Sequence, residues 1–120
     1  MCIRDRFGIS TDNIMAVATT YVENVTEDPM TVFICTASDD SIRVDVNNYT
    51  ATLVSACRGS AGDCQEINCA VLEPGINKIT AYVWEGGGGF NMRLGIRGLD
   101  GIALNDRSDD VIFHLSLIHI

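Results

Sequence analysis

Thr31-Val-Phe-Ile-Cys-Thr-Ala-Ser-Asp-Asp-Ser-Ile-Arg-Val-Asp-Val-Asn-Asn48 contains two strands and the corner between them. Its first half, Thr31 to Ser38, is an apolar, β-branched run of the kind that sits in the centre of a sheet. Asp39-Asp40 then makes an acidic corner. In the second half Ile42, Val44 and Val46 alternate with Arg43 and Asp45, the period of a strand with one face on a core and one in water. Asn47-Asn48 can take the positive φ that a tight hairpin turn demands, so Thr50 to Ala56 is expected to return as the partner strand.

Reading outward from this pair, the same signals recur. Upstream, Ile14 to Asn24 is rich in Val, Thr and Tyr and predicts a strand closed by an Asp28-Pro29 turn. Downstream, Cys57 to Cys69 reads as a long loop, and Pro74-Gly75 occupies the central positions of a type II turn. Lys78 to Glu85 alternates, with Ile79, Ala81 and Val83 on one face and Lys78, Thr80, Tyr82 and Trp84 on the other. A tetraglycine, Gly86 to Gly89, reads as a hairpin loop. It lacks the following Lys-Ser or Lys-Thr and helix that a phosphate-binding loop requires. Phe90 to Gly98 resumes the strand pattern, with Phe90, Met92, Leu94 and Ile96 inward. Leu99-Asp-Gly101 turns again, before a short last strand near Ile102 to Leu104. No window shows sustained helical periodicity. Short strands separated by regular turn signals predict an all-β chain, an antiparallel β-sandwich of the jelly-roll kind.

The two ends read differently from the rest. DNA encoding Met1-Cys-Ile-Arg-Asp-Arg6 can be the reverse complement of DNA encoding Leu115-Ser-Leu-Ile-His-Ile120. Both resemble the transposase end sequence used in shotgun library preparation, translated by accident. The expectation is therefore a β-sandwich domain over residues 7–114, an internal piece of a longer frame, flanked by extensions 1–6 and 115–120 that add little to the core.

Charge and cysteines narrow the function classes. The chain of 120 residues carries a formal net charge of −8. Setting aside Arg4, Arg6 and Asp5 leaves 6 basic and 15 acidic residues, a net charge of −9. Such a surface repels nucleic acid and anionic membranes, and no apolar run approaches the roughly 20 residues of a membrane helix. Partners are thus expected to be neither nucleic acid nor a membrane interior. Beyond Cys2, the cysteines are Cys35, Cys57, Cys64 and Cys69, which allow three pairings. The last three crowd one polar loop without the paired CxxC spacing of a structural zinc site. The expectation is a loop disulfide joining Cys57 to Cys64 or Cys69, with Cys35 either a buried thiol or half of a second disulfide, in an oxidising extracellular or cell-surface setting. Asn24-Val-Thr26 and Asn48-Tyr-Thr50 match the glycosylation sequon. A Ser-His-Asp triad lacks an available histidine, since His119 lies in the extension and His114 borders it. The chain reads as a module that accompanies an enzyme, itself non-catalytic.

Three segments carry a family resemblance: Ser38 to Asn48, Leu72-Glu-Pro-Gly-Ile-Asn77, and Trp84-Glu-Gly-Gly-Gly-Gly-Phe90 leading into Met92-Arg-Leu94. In order and spacing they resemble the jelly-roll modules of secreted bacterial enzymes and surface proteins. These include protective-antigen-like (flocculin-type) and galactose-binding-like domains. The resemblance implies a carbohydrate-binding accessory module of a larger secreted or surface protein. It also implies calcium held by the acidic pair, a role that falls here on Asp39 and Asp40. The chain departs from the pattern at Ser41 and Asn48, where glycines are usual.

Two candidate sites follow, each beside a plainer reading. Asp39-Asp40 is either a calcium ligand pair or an acidic turn, since calcium takes about six to eight oxygens. Tyr82 and Trp84, with Lys78 on the same face, are either a platform for sugar rings or a face covered by a loop or the second sheet. The alternative function is a structural or adhesive β-sandwich bound to a protein or to neighbouring domains of its parent. An exposed Tyr82–Trp84 platform or a metal cage at Asp39-Asp40 favours the carbohydrate reading, and a wholly buried Trp84 with a bare acidic turn favours the other.

Overall fold

The computed structural model describes residues 14–39, 41–55, 64–85, 91–104, 110–114 and 117–119. Nine strands run through them: β1 (Ile14–Asn24), β2 (Met30–Asp39), β3 (Ser41–Val46), β4 (Tyr49–Val54), β5 (Glu66–Leu72), β6 (Gly75–Glu85), β7 (Asn91–Arg97), β8 (Val111–Phe113) and β9 (Leu117–His119). They form two antiparallel sheets, a six-stranded one ordered β4-β3-β6-β1-β8, with β9 also paired to β1, and a three-stranded one ordered β5-β2-β7. The pairings β1–β8, β2–β7 and β3–β6 nest one inside the next, as in a long hairpin rolled into a double sheet. The antiparallel β-sandwich expected from the alternation is the observed fold.

The core lies between the sheets and is filled by the predicted inward residues. Ile42, Val44 and Val46 of β3 and Ile79, Ala81 and Val83 of β6 are buried, facing Val32 and Ile34 of β2 and Ile96 of β7. Strand β2 is central in its sheet, as its unbroken apolar run predicts, and is buried on both faces. The Asn47 turn has φ 55°, and Gly75 has φ 94°, the value a type II turn needs at its third position. The short strand expected at Ile102 to Leu104 is reduced to one bridge, Ala103 to Arg97, on the end of β7. The chain then continues to β8 and β9, so residues 117–119 of the C-terminal extension run beside Val17 to Thr19 of β1. Residues 1–6, Asp40, Cys57, the tetraglycine and Phe90 lie outside the described residues.

The expected pairing within the Cys57 to Cys69 loop is corrected by the fold. Cys64 is bonded to Cys35, across 29 residues of sequence and a Cα–Cα distance of 5.0 Å, while Cys69 is a free, exposed thiol. The cause is strand pairing. In the β2–β5 ladder Cys35 stands opposite Ile67, and Gln65 N–H extends the pairing by donating to Thr36 O, so the chain entering β5 lies over the outer face of β2. Residues close along the chain are thus drawn to different elements.

Asn24, at the end of a predicted strand, is a buried fixture of the fold. The Asn24 side chain is 1% exposed; its Nδ2 donates to Asp28 O and Leu72 O, both at 2.9 Å, and its Oδ1 accepts from Thr26 N and Oγ1. A glycan on that amide would displace these bonds, so the first sequon serves the fold, whereas Asn48 is exposed on the hairpin turn. Asn24→Ala is expected to cost about 2 kcal/mol by leaving buried backbone groups unpaired. Asn48→Ala should stay within about 0.5 kcal/mol. Equal urea midpoints for the two variants would refute the distinction.

Candidate functional site

The outward face of the six-stranded sheet is a grid set by register. Trp84 lies between Ser41 of β3 and Met15 of β1. Tyr82 lies between Arg43 and Val17, and Thr80 between Asp45 and Thr19. Lys78 follows, beside Tyr21, with its backbone bonded to Asn47. Rows on one face of a strand are spaced about 7 Å apart, so Trp84 and Tyr82 are neighbours and Lys78 sits about 20 Å from Trp84.

The second sheet packs on the inward residues, and the outward face is exposed at Met15, Arg43, Lys78 and Trp84, while Thr80 at its centre is buried. Trp84 is 44% exposed and Met15 beside it 41%. Leu53, opposite Arg43 on β4, is also exposed. Trp84 is thus exposed rather than covered by the second sheet. Tyr82 differs from Trp84: it is half-buried, and the Arg43 guanidinium lies 5.5 Å above its ring centroid, within cation–π range.

The polar centre of the face is an ordered cluster. Arg43 grips Asp45 with two bonds, Nε to Oδ1 and Nη2 to Oδ2, each 3.0 Å, and Thr50 Oγ1 donates to the same Oδ1 at 2.8 Å. Donating these hydrogen bonds to the Asp45 carboxylate holds the Arg43 guanidinium above its already high ordinary pKa, so it stays charged at any working pH. Alternation placed both residues outward but did not mark them as a pair. The signal was present, since residues two apart on a strand share a face.

The acidic corner lies at the Trp84 end of this grid. Asp39 closes β2 opposite Asn91, and Ser41 opens β3 opposite Trp84. Asp40 is outside the described residues. Among the described residues no group of three or more His, Cys, Asp or Glu side chains is placed to hold a metal ion. Calcium takes about six to eight oxygen ligands, and of the acidic pair Asp39 alone is among the described residues.

The site's other surroundings are plainer. A groove of about 510 Å³ opens at the Asn47 end of the sandwich, lined by Asn47, Asn48, Tyr49, Cys69, Val71 and Glu73. A smaller apolar cleft of about 270 Å³ separates Ala18 and Thr20 of β1 from Met92 and Leu94 of β7. Neither contains Tyr82, Trp84 or Lys78. No helix of the described residues is long and apolar enough to cross a membrane. No family model matches the chain, and no curated protein or solved structure shows significant similarity to it.

Proposed function

We propose that the chain is a non-catalytic carbohydrate-binding module of a larger secreted or surface protein, and that its ligand lies on the outward face of the six-stranded sheet. The observation that carries this reading is the exposure of Trp84 on the outward sheet face, beside Met15 and the Arg43-capped Tyr82. A flat indole offers large apolar area at low entropic cost, which suits the apolar face of a sugar ring. The Cys35–Cys64 disulfide supports an oxidising, extracellular setting.

Trp84→Ala is expected to lower retention on polysaccharide columns or a glycan array on the order of tenfold, about 1.4 kcal/mol, with the melting temperature unchanged. Unchanged retention would remove the platform. The same assay in calcium and in chelator tests the ion implied by the acidic pair. Loss of binding in chelator that is reproduced by Asp39→Asn and by Asp40→Asn assigns calcium to the acidic pair, and equal binding in calcium and chelator removes it.

A second reading, a structural or adhesive domain with a protein partner, is favoured by the outer side of the edge strand β5. There Ile67 is 57% exposed and Val71 43%, flanking the free thiol of Cys69. Apolar side chains on an unpaired edge are a common protein contact. Ile67→Lys should leave glycan retention intact, and it separates the two surfaces.

A further inference from the structure

We propose that the Arg43–Asp45 pair is the specificity-determining element of the outward face. It selects a neutral glycan chain by binding adjacent hydroxyls of one sugar while the next sugar rests on Trp84. This inference rests on the carbohydrate reading and adds to it the class of ligand.

The spacing comes first. The Trp84 row and the Tyr82–Arg43 row are about 7 Å apart, close enough for the sugar next to one stacked on Trp84 to reach the second row. A ring stacked on the indole therefore puts its neighbour above the guanidinium and carboxylate. Lys78 lies two rows beyond Tyr82, outside the reach of a disaccharide held this way.

The chemistry comes next. A guanidinium has five N–H donors, and Asp45 takes two of them, leaving three directed elsewhere. Asp45 accepts from Arg43 Nε, Arg43 Nη2 and Thr50 Oγ1, which leaves about one of a carboxylate's four lone-pair sites. The pair thus presents donors and an acceptor side by side, the complement of two adjacent hydroxyls that each donate and accept. Its side chains are 45% and 17% exposed, so both can be reached from solvent.

Order and charge decide the ligand class. The guanidinium is held by a bidentate carboxylate beneath one edge and an aromatic ring below its plane, so little freedom is lost when a ligand binds. The pair has no net charge, and it sits on a chain of net charge −8. A polyanionic glycan gains one contact with Arg43 but meets Asp45 and the field of the whole protein. A neutral glycan incurs neither cost.

The test is titration calorimetry on the full chain with neutral β-linked hexasaccharides of glucose, xylose and mannose, and with a hexagalacturonate as the acidic counterpart. The wild type is expected to prefer a neutral series by tenfold or more. Asp45→Asn should narrow that preference by about tenfold, chiefly by improving the acidic ligand, and Arg43→Gln should weaken the neutral one about tenfold. Trp84→Ala should weaken both series alike. If Trp84→Ala weakens binding but neither pair variant changes the ratio of neutral to acidic affinity, the pair is a strut for Tyr82 and the inference fails alone. If Trp84→Ala changes nothing, or the face captures only a protein ligand, the platform reading fails with it.

Discussion

Asn77→Ala is expected to destabilise the protein by about 3 kcal/mol, seen as a lower urea midpoint with an unchanged slope. Asn77 is fully buried, and its amide closes the crossover between the sheets. Its Nδ2 donates to Glu73 O at 2.8 Å, Gly75 O at 3.1 Å and, more weakly, Val22 O at 3.3 Å. Its Oδ1 accepts from Glu73 N at 2.8 Å and Asn47 Nδ2 at 2.9 Å. The side chain thus stands in for the ladder that the Glu73-Pro74-Gly75 turn cannot form, and alanine leaves several of those groups unpaired. Asn47 is the other half of the device, because its Oδ1 accepts from Lys78 N at 3.0 Å. Asn47→Ala should cost about 1–2 kcal/mol, and the pair should show coupling above about 0.5 kcal/mol in a double-mutant cycle. Additive losses, or a loss below about 1 kcal/mol for Asn77→Ala, would show that the network is incidental.

Removing the Cys35–Cys64 bond should have a similarly large effect. Closure over a separation of 29 residues is worth about 3.5 kcal/mol in the chain-entropy account of disulfides. The bond also lies against the outer face of β2, where Cys35 and Ala37 are buried, so losing it loosens the cover of the smaller sheet. The double variant Cys35→Ala with Cys64→Ala keeps the site apolar and isolates the cross-link. It should unfold at a lower urea concentration than the wild type, and reduced wild type should approach it. Cys69→Ser, at an exposed free thiol, should shift stability by no more than about 0.5 kcal/mol. Peptide mapping without reductant checks the connectivity, and a Cys57–Cys64 peptide would overturn it.

Much of the fold was legible in local pattern. The alternation of Ile42, Val44 and Val46, and of Ile79, Ala81 and Val83, names the buried face of β3 and β6 directly, because strand side chains alternate with a period of two. Asn47 and Pro74-Gly75 mark turns for an equally local reason, the backbone angles those residues tolerate. The same alternation put Lys78, Tyr82 and Trp84 together on the opposite face, so the residues of the candidate platform were available before any packing was known.

What the pattern left open depended on contacts between distant strands. Outward alternation leaves undecided whether a face meets water or another layer, and Trp84 is exposed because the three-stranded sheet covers only the inner side of the larger one. Cysteine spacing weights neighbours in sequence, whereas Cys35 meets Cys64 through the antiparallel register of β2 and β5. Asn24 and Asn77 carry the residue type of an exposed turn, yet each is buried because it satisfies backbone groups from segments 48 and 55 residues away. Local sequence sets each strand's two faces and its turns. Which face is covered, which cysteine is reached and which amide is buried follow from strand order and register, and those are settled when the sheets pack.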